Sequence, residues 1–306
     1  MTWLYLALMA PVLWSLSNIV DKFAINNITS HYIPFVFLLS IGNIFFAAVI
    51  YLVFLPQDVE LWFVVFNLLS GLAIFGQYFS YSYSLEQMDV SAVIPIHQSE
   101  PVFVLIASVL FFHSVPSEWQ IFGFFLIIAG ILLLSVSRQT VRGLGQSRHV
   151  VVLLVSALFG AISTLISDFL LISKSLETVL IFNFAGYSLG GALLLLWPAW
   201  RALILNDLSK LSLHQFCVFG LTNLFDVGGY VFFMAALAVG GGAALVAVIV
   251  SIHPLFVLIL GYIVTKFFPK LFTEDIAPGG FIRKLFSIVV IVAGVSIISM
   301  AQPVQA

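Results

Sequence analysis

The sequence predicts an all-α integral membrane protein: ten transmembrane helices in two inverted five-helix repeats. Three observations predict it. Of the 306 residues, 62% are hydrophobic and 8% charged, with a mean hydropathy of +1.19, whereas a soluble domain keeps roughly a quarter of its residues charged to cover its surface. Apolar runs of about 20 residues, the length that crosses the hydrocarbon as a helix, recur along the whole chain. Blocks of the first half return in the second.

The first run, Thr2 to Lys22, lacks a basic leader and a small-residue cleavage pattern, so it is expected to stay as a span. Nine more follow: Ile33 to Phe54, Leu61 to Ser84, Val90 to Phe112, Trp119 to Val136, Val150 to Ile172, Thr178 to Trp197, His214 to Leu237, Ala243 to Thr265 and Ile282 to Met300. They are too long and too uniformly apolar for the alternation of a membrane barrel. The short connections leave no room for a soluble domain. A net charge of -2 gives no basic footprint for nucleic acid, and the single Cys217 cannot form an internal disulfide.

Lys and Arg set the expected orientation. Lys22 ends the first span, Arg138, Arg142 and Arg148 follow the fifth, Arg201 and Lys210 the seventh, and Lys266, Lys270, Arg283 and Lys284 the ninth. Only Lys174 falls on the other side. The bias places the odd-numbered loops in the cytoplasm and both termini outside a cell (inner) membrane.

The repeat is visible in three places. SAVIPIHQSEPVFVLI from Ser91 aligns with AALVAVIVSIHPLFVLI from Ala243, setting Glu100 and Pro101 on His253 and Pro254. FGFFLIIAGILLLS from Phe122 aligns with FSIVVIVAGVSIIS from Phe286, and WSLSNIVDKF from Trp14 with GAISTLISDF from Gly160. Five spans per copy is an odd number, so the copies lie upside down relative to each other, as in many secondary transporters. The expected organisation is a first repeat at 1–137, a basic connecting loop at 138–149 and a second repeat at 150–306. The second copy carries an insertion, KLFTEDIAPGG.

These features resemble the drug/metabolite transporter superfamily, specifically its EamA-type proteins. The closest likeness is in the fourth and fifth spans: small residues, then Pro101, a long apolar run, a short polar loop, and IIAG from Ile127. Two departures stand out: Phe112, His113 and Ser114 replace the acidic residue that such proteins commonly show at the end of the fourth span, and the loop after the ninth is long. The resemblance implies cytoplasmic termini, opposite to the charge count, and implies transport of small molecules with a preference for export.

Ionisable groups deep in a bilayer cost from about 2.5 to over 10 kcal/mol, so they face a cavity or a partner. Glu100, His253 and Asp226 fall near the middles of their spans, and His97 is one turn from Glu100. Pro95, Pro101 and Pro254 interrupt the helical hydrogen bonds beside them and are expected hinges. Trp14, Asn18 and Asp21 share one face of the first span. Gln77 and Tyr78, and Asn223 with Tyr230 around Asp226, complete the expected binding set. Asp21, Lys22 and Asp168 are candidate gates, although Lys22 and Asp168 equally suit snorkelling at the interface. The structural alternative is that Glu100 and His253 form a buried pair that joins the halves. Gly186, Gly190 and Gly191 read as helix packing, and Gly240 to Gly242 as a tight turn.

The expected function is a secondary transporter of a small polar metabolite, an amino acid or amine, proton-linked through Glu100 and working by alternating access. No cofactor or metal is expected, and the chain is read as a monomer or homodimer rather than an enzyme. A carrier of phosphorylated or lipid-linked sugar would need a deep cation, for which Lys22 alone is available. An intramembrane metal-dependent enzyme would use His97, Glu100 and His253.

Overall fold

The apolar runs of the sequence are largely helical where the computed structural model describes them, at residues 2–112, 117–135, 145–239, 246, 249–274 and 277–301. The helices are α1 Thr2–Asn27, α2 Tyr32–Phe54, α3 Leu61–Leu85, α4 Val90–His97, α5 Glu100–Phe112 and α6 Glu118–Ser135. They continue with α7 Gly145–Leu171, α8 Leu176–Leu194, α9 Pro198–Leu208, α10 Leu213–Ala238, α11 His253–Phe267 and α12 Pro278–Met300. Among the described residues there is no strand. The chain is a multi-pass membrane protein: α1, α2, α3, α7, α8, α10 and α12 are each long and apolar enough to cross a bilayer, and α6 and α11 are shorter apolar helices.

Two expectations need correction. The fourth run is not one helix, because α4 stops at His97 and Gln98 leaves helical geometry at φ -85, ψ 17 before α5 begins at Glu100. Pro101 cannot donate to the His97 carbonyl, and placed in the first turn of α5 its missing N–H costs little. The Ser99 hydroxyl takes up the Ile96 carbonyl at 2.7 Å. The ninth run breaks at the aligned place: Ser251 and Ile252 form a turn, and Pro254 lies in the first turn of α11. The second correction concerns the seventh connection, which is not short. It contains α9, started by Pro198, with Ile204 buried and Arg201 exposed, the two-sided pattern of a helix lying along the interface.

Contacts between connections sort the two faces of the bundle. On one face, Asp207 at the end of α9 accepts from the backbone and hydroxyl of Ser30 at 2.7 and 2.8 Å, and Asn27 donates to the Leu271 carbonyl at 2.9 Å. Lys22 donates to the carbonyls of Leu85 and Met88 at 2.5 and 2.9 Å, which occupies acceptors that the end of α3 leaves free. Lys284 pairs with Asp89 at 2.6 Å and Glu274 at 3.6 Å. On the opposite face Lys174 pairs with Glu60 at 3.0 Å. Arg138, Arg142, His113, Ser114 and Gly240 to Gly242 lie outside the described residues.

The most extensive packing joins α6 to α12, α1 to α10, α3 to α7 and α8 to both α2 and α3. Small residues allow the close approaches, as is common between helices in lipid. A Cβ on Gly186 would meet the Leu68 carbonyl, and one on Gly190 the ring of Phe75. Three kinds of contact occur twice each between these helices. Ser17 of α1 donates to Thr222 O of α10 at 3.3 Å, and Ser70 of α3 donates to Ser163 O of α7 at 3.2 Å. Trp14 covers Gly229, and Gln77 covers Gly160. On α6 and α12, a Cβ on Gly123 would sit 2.7 Å from Gly294 O, and one on Gly294 2.7 Å from Gly123 O.

Candidate functional site

Trp14, Asn18 and Asp21 of α1 face α3 and α10. The Trp14 indole donates to the Asp226 carbonyl at 3.2 Å, and the Tyr78 hydroxyl donates to the Asp226 carboxylate. One turn along α3, the Tyr81 hydroxyl donates to Asp21 at 3.3 Å and accepts from Asn18 Nδ2 at 3.0 Å. Asp21 is fully buried and Asp226 nearly so. The two carboxylates are close enough to act on each other's charge. Among the described residues neither forms an ion pair with a basic side chain. Rings close around them: Tyr78 lies 5.6 Å from Tyr81 and 5.8 Å from Tyr187, and Trp14 lies 6.0 Å from His253.

The broken helices deliver their polar residues here. Gln98 Nε2 lies 2.5 Å from His253 Nδ1 at the start of α11. The His97 ring lies 5.2 Å from that of Tyr81, tilted by 46°, and reaches Ser156 at 2.9 Å through Nδ1. Because the Ser156 hydroxyl already donates to Gln77 O at 2.7 Å, the His97 ring nitrogen must be the donor. Glu100 points the other way, to Thr164 and over Gly160 of α7 beside Gln77. The polar partner of His253 is therefore Gln98, and that of Glu100 is Thr164.

Several expected residues lie elsewhere. Asn223 donates to Phe219 O at 3.0 Å and packs on Gly42 of α2. Tyr230 reaches Ser163 and Ser167. Lys22 is committed to the end of α3, and Asp168 is exposed. Pro95 lies inside α4 and Pro101 and Pro254 stand at the breaks. Among the described residues no three His, Cys, Asp or Glu side chains group as a metal site.

Two features were missed from sequence. Glu274, from the insertion, is buried against Ser91 at the start of α4, where it accepts from the backbone N–H at 3.2 Å and from the hydroxyl. Burial and the neighbouring Asp89 push its carboxyl up, while Lys284 pulls it back. A hydroxyl cluster of Ser70, Ser163 and Ser167 with Asn183 lies between α3, α7 and α8. The α7 sequence did carry a signal for it: Gly160, Ser163, Thr164 and Ser167 share one helical face.

The described chain is helical and multi-pass, with polar side chains held between its helices. Residues 1–136 match the model of the EamA-like transporter family, in line with the resemblance read from the sequence. A protein crystal structure at 15% identity aligns over 96% of this chain and 94% of that one with a TM-score of 0.57, a likeness of fold alone. Comparison with curated protein sequences gives no match.

Proposed function

We propose that the protein is a secondary transporter of a small amine-bearing metabolite, an amine or an amino acid, with proton exchange at its buried carboxylates. The observation that carries this reading is Asp21 and Asp226, buried together among phenols and an indole with no basic side chain paired to them among the described residues. Unpaired buried charge is costly. Protons relieve it when the site is empty, and an ammonium group relieves it when substrate is bound. Trp14, Tyr78 and Tyr81 offer faces for a cation.

Alternating access between two inverted halves, 1–137 and 150–306, is part of the proposal. The exchanged contacts of Ser17, Trp14 and Gly123 with their counterparts support it, as do the breaks before Pro101 and Pro254. Interrupted helices at matched positions are how many transporters build a midplane site. The basic residues of the Lys22, Arg201 and Lys284 face support a cytoplasmic location for that face.

The test is binding to the purified protein by thermal shift, with amines, amino acids, nucleosides and sugar phosphates at two pH values. Amine-dependent stabilisation that varies with pH and disappears in Asp226→Asn is the expected result. Stabilisation by sugar phosphates alone, unchanged in Asp226→Asn, would overturn the reading.

A further inference from the structure

In the hydroxyl cluster between α3, α7 and α8, one serine oxygen has more close polar neighbours than bonding positions. Ser70 Oγ lies 2.8 Å from Ser163 Oγ, 2.9 Å from Ser167 Oγ, 3.2 Å from Ser163 O and 3.0 Å from Asn183 Nδ2. A serine hydroxyl has one proton to give and two lone pairs, so four neighbours exceed its three positions. Two buried carboxamides, Asn183 in the cluster and Asn67 beside it on α3, each leave an oxygen bare. Asn183, 1% exposed, uses its nitrogen on Ser70 and leaves Oδ1 without a partner. Asn67, one turn from Ser70 on α3 and 0% exposed, gives its nitrogen to Val179 O at 2.9 Å and also leaves Oδ1 bare. Exchanging oxygen and nitrogen of Asn67 would set its oxygen against the Val179 carbonyl. A bare buried polar atom costs about 1–3 kcal/mol.

We propose that this cluster is a binding site for sodium ion. Its atoms are oxygens of hydroxyl, carbonyl and carboxamide groups, the ligands that hard cations take. They are neutral, which suits a monovalent ion. The Glu100 carboxylate stands beside Thr164 on the same face of α7, and Tyr230 links the two regions through Ser163 and Ser167. Helix register places the cluster where α7 repeats α1: Ser163 matches Ser17 and Ser167 matches Asp21. The ion and the amine thus occupy counterpart positions, one along α7 and one along α1. The sodium site stands on its own atoms and does not depend on the amine reading.

The experiment is a melting titration of the full chain in detergent with sodium chloride, replaced at constant ionic strength by choline, potassium or lithium chloride, without any amine present. Saturable stabilisation by sodium, weaker with potassium and absent with choline, is expected. In Ser163→Ala and Asn183→Leu the sodium response should fall at least tenfold in apparent affinity, while Ser17→Ala, at the counterpart position, should retain it. Equal melting in sodium and choline would overturn the site, as would an unchanged sodium response in Ser163→Ala. If Asn183→Leu does not fold, the wild-type ion series and Ser163→Ala still decide. Amine binding measured separately in choline chloride shows whether the amine reading stands or falls apart from this one.

Discussion

α1 and α7 hold the same register with different chemistry. Where α1 carries Trp14, Asn18 and Asp21, α7 carries Gly160, Thr164 and Ser167. Each packs along a counterpart, α10 or α3, with a side chain covering a glycine: Trp14 over Gly229, and Gln77 over Gly160. The first arrangement is aromatic and acidic, the second small and hydroxylic. Backbone approach in both is governed by small residues and serine-to-carbonyl bonds, so it persists while the side chains that would meet a ligand diverge. On the proposed repeat, one scaffold used twice presents two kinds of site.

The faces differ as well, and the largest expected effect tests that. Lys284 is buried between Asp89 and Glu274, so Lys284→Met should destabilise by about 3–5 kcal/mol, the cost of leaving buried charge unpaired, read as lost thermal stability. Next comes the aromatic, acidic half: Asp226→Asn should weaken amine binding by about 2–5 kcal/mol, at least about thirtyfold in Kd. A similar loss in Ser167→Ala would erase the distinction between the halves.

The proposed twofold relation is tested by Gly123→Ala and Gly294→Ala. Each new methyl would stand 2.7 Å from the partner's carbonyl oxygen, so each should cost about 1–3 kcal/mol, and the two melting shifts should match. Unequal shifts would break the equivalence of α6 and α12. A smaller effect belongs to Glu274. Its carboxyl is pushed up by burial, so its contribution to stability is fullest at acid pH and is lost as pH rises through the raised value, by up to about 1.4 kcal/mol per pH unit. Wild-type melting compared with Glu274→Gln across that range should show the decline. The smallest effect is on the opposite face, where Lys174 meets a well exposed Glu60 and Lys174→Met should leave melting within error.

Much of this was legible in the sequence for simple reasons. Long apolar runs declare helices because lipid permits little else, and PIHQSEP announced trouble in the fourth span because proline and charge are both expensive there. The aligned Glu100-Pro101 and His253-Pro254 marked where two helices break. What was not legible depends on distance between elements. Asp21, Tyr78, Tyr81 and Asp226 come from three helices, and no spacing within one helix joins them. The turning of Glu100 toward α7 and of His253 toward Gln98 is set by the break in α4, which local pattern does not resolve. Glu274 was hidden in an apparently loose insertion, and α9 in a connection whose Arg201 and Lys210 suggested only loop. The many phenylalanines divide: Phe35 and Phe63 are fully buried, while Phe45 and Phe125 are exposed.

The glycine seam between α6 and α12 has the form of a self-complementary subunit interface: residue i of one side meets j of the other, and j meets i. Such a surface owes nothing to the peptide bond that joins its two sides. If the halves recognise each other this way, a chain cut within 138–144 and coexpressed as two pieces would reassemble in the bilayer, and the connecting loop would serve to hold stoichiometry rather than shape.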